Sequence, residues 1–236
     1  MSDTVLSASG LRSGYGGKPV LQGVDFSVGR GEIVAVIGRN GVGKSTLMKT
    51  LMGLLPTTAG SIGFAGRPIE HMVAHKRARL GIGYVPQGRD VFPRMSVEEN
   101  LRVGEMIRGR ADKADYDRVY ASFPILAERR AQRAGTLSGG QQQQLAIGRV
   151  LVGQPSLVLL DEPSEGIQPS IVQDIARIVV ELNRTSGITI VVVEQNLDMI
   201  RAMAQRAYVM DKGRVVAEMG ADELNDREAM RRHLAV

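Results

Sequence analysis

Three apolar runs organise the chain: residues 33–37, 157–160 and 188–193, each ending at a glycine or a polar residue. Strands buried on both faces of a parallel sheet read this way. Val24, Phe26 and Val28 instead alternate with Asp25 and Ser27, the pattern of an antiparallel strand with one wet face. Between the second and third runs, Ile171, Ile175, Ile178, Val179 and Leu182 recur at helical spacing. Ser170 and Gln173 predict a capping box at the start of that helix. Strand, helix and strand in alternation predict an α/β layered fold.

The middle of the chain reads differently. Residues 88–153 carry little strand signal, and the pairs Ser96/Glu99 and Ser138/Gln141 predict capping boxes. The first helix runs through Leu101; the second stops near Gly153 and Pro155. Residues 108–118 are highly charged, which predicts a solvated helix or loop. This segment is expected to be a helical insertion in the α/β core. Near the end, residues 208–210 and 214–217 flank Asp211-Lys212-Gly213, which predicts a hairpin.

Composition narrows the function. The chain has 236 residues, a net charge of +5 and no cysteine. A disulfide framework and a thiolate metal site are therefore excluded. His71, His75 and His233 have no acidic cluster beside them, so no histidine metal site is expected. The basic residues are scattered among acids and aromatics are only 4% of the chain, so nucleic acid is not an expected partner. No apolar run approaches the ~18 residues of a membrane span. The first residues lack the basic-then-apolar pattern of a signal peptide.

The chemistry starts at the end of the first run. Gly38-Arg39-Asn40-Gly41-Val42-Gly43-Lys44-Ser45-Thr46 follows a predicted strand and opens a predicted helix. In that context G-x-x-x-x-G-K-[ST] is a phosphate cradle. Glycines turn backbone N–H groups inward, and the helix start adds its positive end. Lys44 is expected to reach the terminal phosphates and Ser45 to ligate Mg²⁺; Arg39 and Asn40 are expected to hold the loop's shape. Met48 and Met52 are expected in the core. The run 157–160 delivers Asp161 and Glu162 to a strand end, where open α/β sheets bind ligands. Asp161 suits a role on Mg²⁺, and Glu162 suits polarisation of an attacking water. Ser138-Gly139-Gly140-Gln141 is a second capped helix start, hence a second anion site. Two such sites on one chain point to a nucleotide shared with a second subunit.

Phosphate loop, Ser138–Gln141 motif and the Asp161-Glu162 strand, in this order, resemble the ATP-binding cassette (ABC) ATPases over residues 5–236. The resemblance implies a P-loop fold: a mostly parallel core with an antiparallel β part, from about residues 5–87 and 154–236, and a helical subdomain at about 88–153. It implies that Tyr15 stacks on adenine. Gln87 touches Mg²⁺ and links the ATP site to the transmembrane partner. Ser138, Gly139, Gly140 and Gln141 contact ATP across a dimer, and Glu162 is the catalytic base. Gln195 stands where the family usually has a histidine on the γ-phosphate; Gln168 stands where an aspartate is usual. Both departures bear on the hydrolysis rate.

Within the family, Glu194-Gln195-Asn196 and Pro86-Gln87-Gly88-Arg89 are similar to the ATPases of branched-chain amino acid importers. Residues 141–149 and Glu165-Gly166-Ile167-Gln168-Pro169-Ser170 are most similar to the urea-importer branch, as is the end, residues 231–236. The resemblance implies an ATP- and Mg²⁺-dependent ATPase on the cytoplasmic face of a membrane. Its expected partners are a sister cassette in a heterodimer, two permease subunits and, indirectly, a solute-binding protein. The competing expectations are a lipid-type exporter ATPase, a non-transport cassette protein and a nucleotide-gated module with little hydrolysis.

Overall fold

The computed structural model describes residues 4–109 and 112–226; His233 and residues 231–236 lie outside this range. The chain opens with β1 (Thr4–Tyr15) and β2 (Lys18–Gly29), paired antiparallel. Then come β3 (Ile33–Ile37), α1 (Lys44–Met52), β4 (Ala59–Phe64), β5 (Arg67–Pro68), α2 (Ala74–Arg79) and β6 (Ile82–Val85). Four helices follow: α3 (Val97–Glu105), α4 (Lys113–Ser122), α5 (Pro124–Glu128) and α6 (Gly139–Val152). The chain returns through β7 (Leu157–Asp161), α7 (Pro169–Ser186), β8 (Thr189–Val193), α8 (Leu197–Met203), β9 (Arg206–Asp211), β10 (Arg214–Met219) and α9 (Ala221–Asn225).

Two sheets result, ordered β2-β1-β4-β5 and β10-β9-β3-β8-β7-β6. In the second, β9, β3, β8, β7 and β6 are parallel and β10 closes one edge antiparallel. The unbroken apolar runs are explained by what lies on each side. Ile33, Ala35 and Ile37 face the helices of residues 97–152 and α7; Val34 and Val36 face α1 and the antiparallel sheet. Val158 and Leu160 divide from Leu157 and Leu159 in the same way. In β2, Val24, Phe26 and Val28 are buried while Asp25 and Ser27 are exposed. Met48 is fully buried and Met52 nearly so.

Between β6 and β7 no described residue belongs to a named strand; the one bridge is Ser96 with Arg133. The Ser96/Glu99 and Ser138/Gln141 capping boxes both form, and the second helix ends at Gly153. The Ser170/Gln173 box does not. Pro169 occupies the first helical turn with Gln168 at the cap, and no side chain caps the start. Proline's fixed φ suits that position and its missing N–H needs no partner, so α7 starts before Ser170. The charged stretch 108–118 is largely solvated as expected, with Arg108, Asp112, Lys113, Asp117 and Arg118 exposed; Asp115 is the exception. An Asp112/Asp115 box opens α4, and Asp115 is 4% exposed beside Arg118 and Gln154. The C-terminal hairpin forms, turning at Lys212 (φ 43°) and Gly213 (φ 77°).

Candidate nucleotide site

The loop from β3 to α1 folds as it does because three of its glycines have no alternative. Gly38 has φ 149°, and a Cβ there would lie 2.3 Å from the Met210 carbonyl oxygen. Gly41 (φ 79°) and Gly43 (φ 110°) are left-handed, and a Cβ on Gly43 would crowd Val20 at 3.2 Å. Gly43 caps α1 without a side-chain hydrogen bond, so the helix start presents its N–H groups. The β9–β10 turn braces the loop from behind: Gly213 N–H donates to the Val42 carbonyl at 2.9 Å, and Gln22 N–H donates to the Gly213 carbonyl at 2.8 Å. Arg39, Asn40 and Gly41 form the exposed crest, while Val42 and Thr46 are buried.

Lys44 is 3% exposed, and its Nζ donates to the Gly38 and Arg39 carbonyls, each at 2.8 Å. Burial pushes its ammonium below the ordinary lysine value, against the pull of Glu162, Asp161 and Glu194. Ser45 Oγ donates to Asp161 Oδ1 at 2.9 Å, and Tyr84 OH donates to Oδ2 at 3.2 Å. Burial raises the Asp161 carboxyl above the usual range although both bonds oppose it. Burial and the Asp161 charge together raise Tyr84.

Glu162, one residue past β7, is left-handed (φ 48°) and its N–H donates to the Val193 carbonyl at 2.9 Å. Its carboxylate is held from two sides. Gln195 Nε2 donates to Oε1 at 2.8 Å and Gln87 Nε2 to Oε2 at 3.4 Å, while Lys44 Nζ lies 3.9 Å from Oε1. The expected site residues Lys44, Ser45, Gln87, Asp161, Glu162 and Gln195 therefore meet in one cluster. Tyr15 ends β1 nearby in sequence to a tight turn. A Cβ on Gly14 would lie 1.9 Å from the Lys18 carbonyl oxygen, and Tyr15 itself is 47% exposed.

Ser138–Gln141 is not part of this cluster. Gln141 N–H donates to Ser138 Oγ at 3.4 Å and Ser138 N–H to Gln141 Oε1 at 3.0 Å, closing the box on itself. A Cβ on Gly140 would lie 2.5 Å from Ile171, so the helix start packs directly on α7.

One half-buried group, Tyr84, and one buried group, Glu194, fall outside the sequence-based set. Tyr84 holds Asp161. Glu194, 2% exposed, accepts from Ser164 Oγ and from Asn196 N–H at 3.4 Å. Burial raises its carboxyl. Its signal was available: like Asp161, it is an acid at the end of an unbroken apolar run.

A glycine cradle, a buried lysine and a strand-end carboxylate pair make a site for phosphate beside a proton acceptor. The family described as ABC transporter matches residues 21–165. The chain belongs to the ABC transporter family. As an ABC ATPase it binds and hydrolyses ATP. It is 46% identical over 216 residues to the high-affinity branched-chain amino acid transport ATP-binding protein BraG of Pseudomonas aeruginosa, covering 90% of this chain and 91% of that one. It is 35% identical to the lipopolysaccharide export system ATP-binding protein LptB of Escherichia coli K12, covering 96% and 95%. The fold matches the ADP conformation of an ATP-binding cassette of an ABC transporter with a TM-score of 0.84 at 28% identity, covering 99% of each chain. Among the described residues of this ABC ATPase, no helix is long and apolar enough to cross a membrane.

Proposed function

We propose that this chain is the ATP-hydrolysing subunit of an importer for a small polar solute, a branched-chain amino acid or urea. The observation that carries the catalytic reading is the Glu162 carboxylate, held by Gln87 and Gln195 beside Lys44. Glu162 takes the proton of the attacking water, and Gln195 and Gln87 aim it. Lys44 exchanges its bonds to the loop carbonyls for the terminal phosphates. Tyr15 offers an exposed ring for adenine, and residues 38–46 wrap the phosphates with their N–H groups. Gln195 carries out the aiming without a titrating proton near neutral pH.

The donor set near Asp161 fits Mg²⁺. The Ser45 hydroxyl, the Asp161 carboxylate and the Gln87 amide are oxygen ligands suited to a hard cation. Bound there, Mg²⁺ supplies neutralisation of phosphate charge. Ser45 and Asp161, which bond each other at 2.9 Å, would hold it, with Asp161 aimed by Tyr84.

Because the box at Ser138–Gln141 stands apart from the cluster, we infer that it serves the nucleotide of a second cassette, in a heterodimer with a sister subunit. The single cassette spans residues 5–236, with residues 88–153 as its helical part. A cavity of about 230 Å³ between the two parts, lined by Leu54, Tyr84, Gly104, Ile107, Arg149 and Pro155, supports docking of permease subunits. Ile107 of this lining is itself 39% exposed, and Met106 beside it in sequence is 74% exposed. In this reading the protein works at the cytoplasmic face of the membrane, with a solute-binding protein acting on the far side.

Similarity to BraG supports a branched-chain amino acid; the strings at 141–149 and 165–170 support urea. Similarity to LptB favours export as the second reading. Uptake of labelled leucine and labelled urea by the source cells, with wild type against Lys44→Ala, separates them. Loss of leucine uptake alone assigns branched-chain amino acids, and loss of urea uptake alone assigns urea. Unchanged uptake of both, with the variant present at wild-type level, rules against these two solutes and strengthens the export reading.

A further inference from the structure

The segment after Gln87 is built in a strained way. Gly88, Arg89 and Asp90 are all left-handed, at φ 85°, 73° and 47°, although two of them carry a Cβ. Such a run persists where its surroundings hold it. Here two arginines hold it. Arg149 of α6 donates from Nη2 to the Arg89 carbonyl at 3.4 Å and lies over the Phe92 ring, 5.2 Å from its centroid. The strained backbone then aims the Arg89 side chain back across the start of the same helix. Its Nη2 donates to the Glu165 carbonyl at 2.7 Å. Its guanidinium also stands over Gly139, where a Cβ would be 3.2 Å from Nη1, and beside Gly166, where one would be 3.5 Å from Nη2.

We propose that Arg89 is a positioning residue that locks the Ser138–Gln141 turn to the loop following Glu162. Three segments meet on one guanidinium. The first carries Gln87, the second is the anion-binding helix start, and the third leaves the base. The glycines at 139 and 166 are what let a flat cation lie between them. Lysine is no substitute for this role, because its compact ammonium lacks the flat guanidinium plane that lies over Gly139 while donating to the Glu165 carbonyl. Arg149 also lines the apolar groove between the two halves. A permease segment entering that groove therefore pushes on a side chain bonded to the Arg89 backbone. Displacement there reaches Ser138–Gln141 and Glu165 through Arg89 without passing through the phosphate loop. The consequence for turnover rests on the roles proposed above for Ser138–Gln141 and Glu162; the contact itself does not.

Two measurements on Arg89→Ala and Arg89→Lys test this. The first is amide hydrogen exchange on the isolated subunit, at four amides that are bonded locally: Gln141, Gln142, Glu165 and Ile167. Arg89→Ala is expected to speed exchange at all four by about fivefold or more while β3 is unchanged. Arg89→Lys is expected to restore protection at Glu165 and Ile167 only. The second is steady-state hydrolysis by the assembled transporter, where Arg89→Ala lowers kcat about tenfold and leaves KM for ATP within about twofold. Unchanged exchange at the four amides overturns the lock, and faster exchange with an unchanged kcat overturns its role in turnover. A wild-type complex without ATP-driven uptake would instead fail the functional reading, and the exchange result would still decide the lock.

Discussion

At the scale of single residues, the site depends on one carboxylate having several keepers. Glu162 is bonded by Gln195 and Gln87 and faced by Lys44, so its charge is satisfied before any water arrives. Replacing it by glutamine keeps the size and removes the acceptor. Glu162→Gln is expected to cut the single-turnover rate of phosphate release by about 10²–10⁴-fold while ATP affinity stays within a few-fold. Quenched-flow release and equilibrium binding of a fluorescent ATP analogue check both halves. Lys44, Ser45, Asp161 and Glu162 were legible because local chemistry spells them: glycines before a lysine, acids after an apolar run. Tyr84 was not, because nothing near it in sequence names its partner. It reaches Asp161 across 77 positions, and only the parallel pairing of β6 with β7 brings them together.

At the scale of elements, the close approach of α3 and α6 sets the helical half. A Cβ on Gly104 would lie 1.9 Å from the Arg149 carbonyl oxygen, backbone against backbone, with no flexible atom to give way. Gly104→Ala is expected to destabilise the subunit by about 1–3 kcal/mol, the usual range for overpacking, despite alanine's better helix propensity. Urea unfolding followed by circular dichroism measures it. A gain in midpoint would show that the two helices part freely. Helix starts tested the reading of local signals most sharply. Ser96 and Ser138 form the boxes their spacing predicts. Ser170 does not, since the neighbouring proline claims the first turn. Asp112 with Asp115 forms a box that uses an aspartate where glutamate or glutamine is the usual signal, so its spacing does not mark it in the sequence.

Across the whole molecule, an ion-pair group ties the two sheets. Arg206 of β9 bonds Glu32 before β3, Glu218 of β10 and the Ser27 carbonyl of β2. Burial pushes the Glu32 carboxyl up, but the Arg206 pair and the Gly29 N–H outweigh it and hold it below the ordinary value of 4.5. A carboxyl lowered on folding adds stability above its unfolded pKa, and that contribution disappears as pH falls through the folded one. Thermal midpoints of wild type and Glu32→Gln are therefore expected to differ by a few degrees at pH 7 and to converge only once the pH has fallen below 4.5 and through the lowered folded value. A gap that persisted in acid would mean the side chain matters by packing rather than by charge. The α/β class and the inserted helices were legible from periodicity. The order of the strands was not, since apolar runs record burial and say nothing of which neighbour lies alongside.

That order has a consequence for how the protein is made. β3, the strand that leads into the phosphate loop, lies between β8 and β9. Neither exists until the ribosome has passed residue 189. By contrast β1, β2 and β4 find one another within the first 64 residues. The nascent chain thus carries Ile33–Ile37, a short apolar segment of high strand propensity, with both edges bare through most of its synthesis. The strand that delivers the phosphate loop is therefore among the last parts of the sheet to be sheltered.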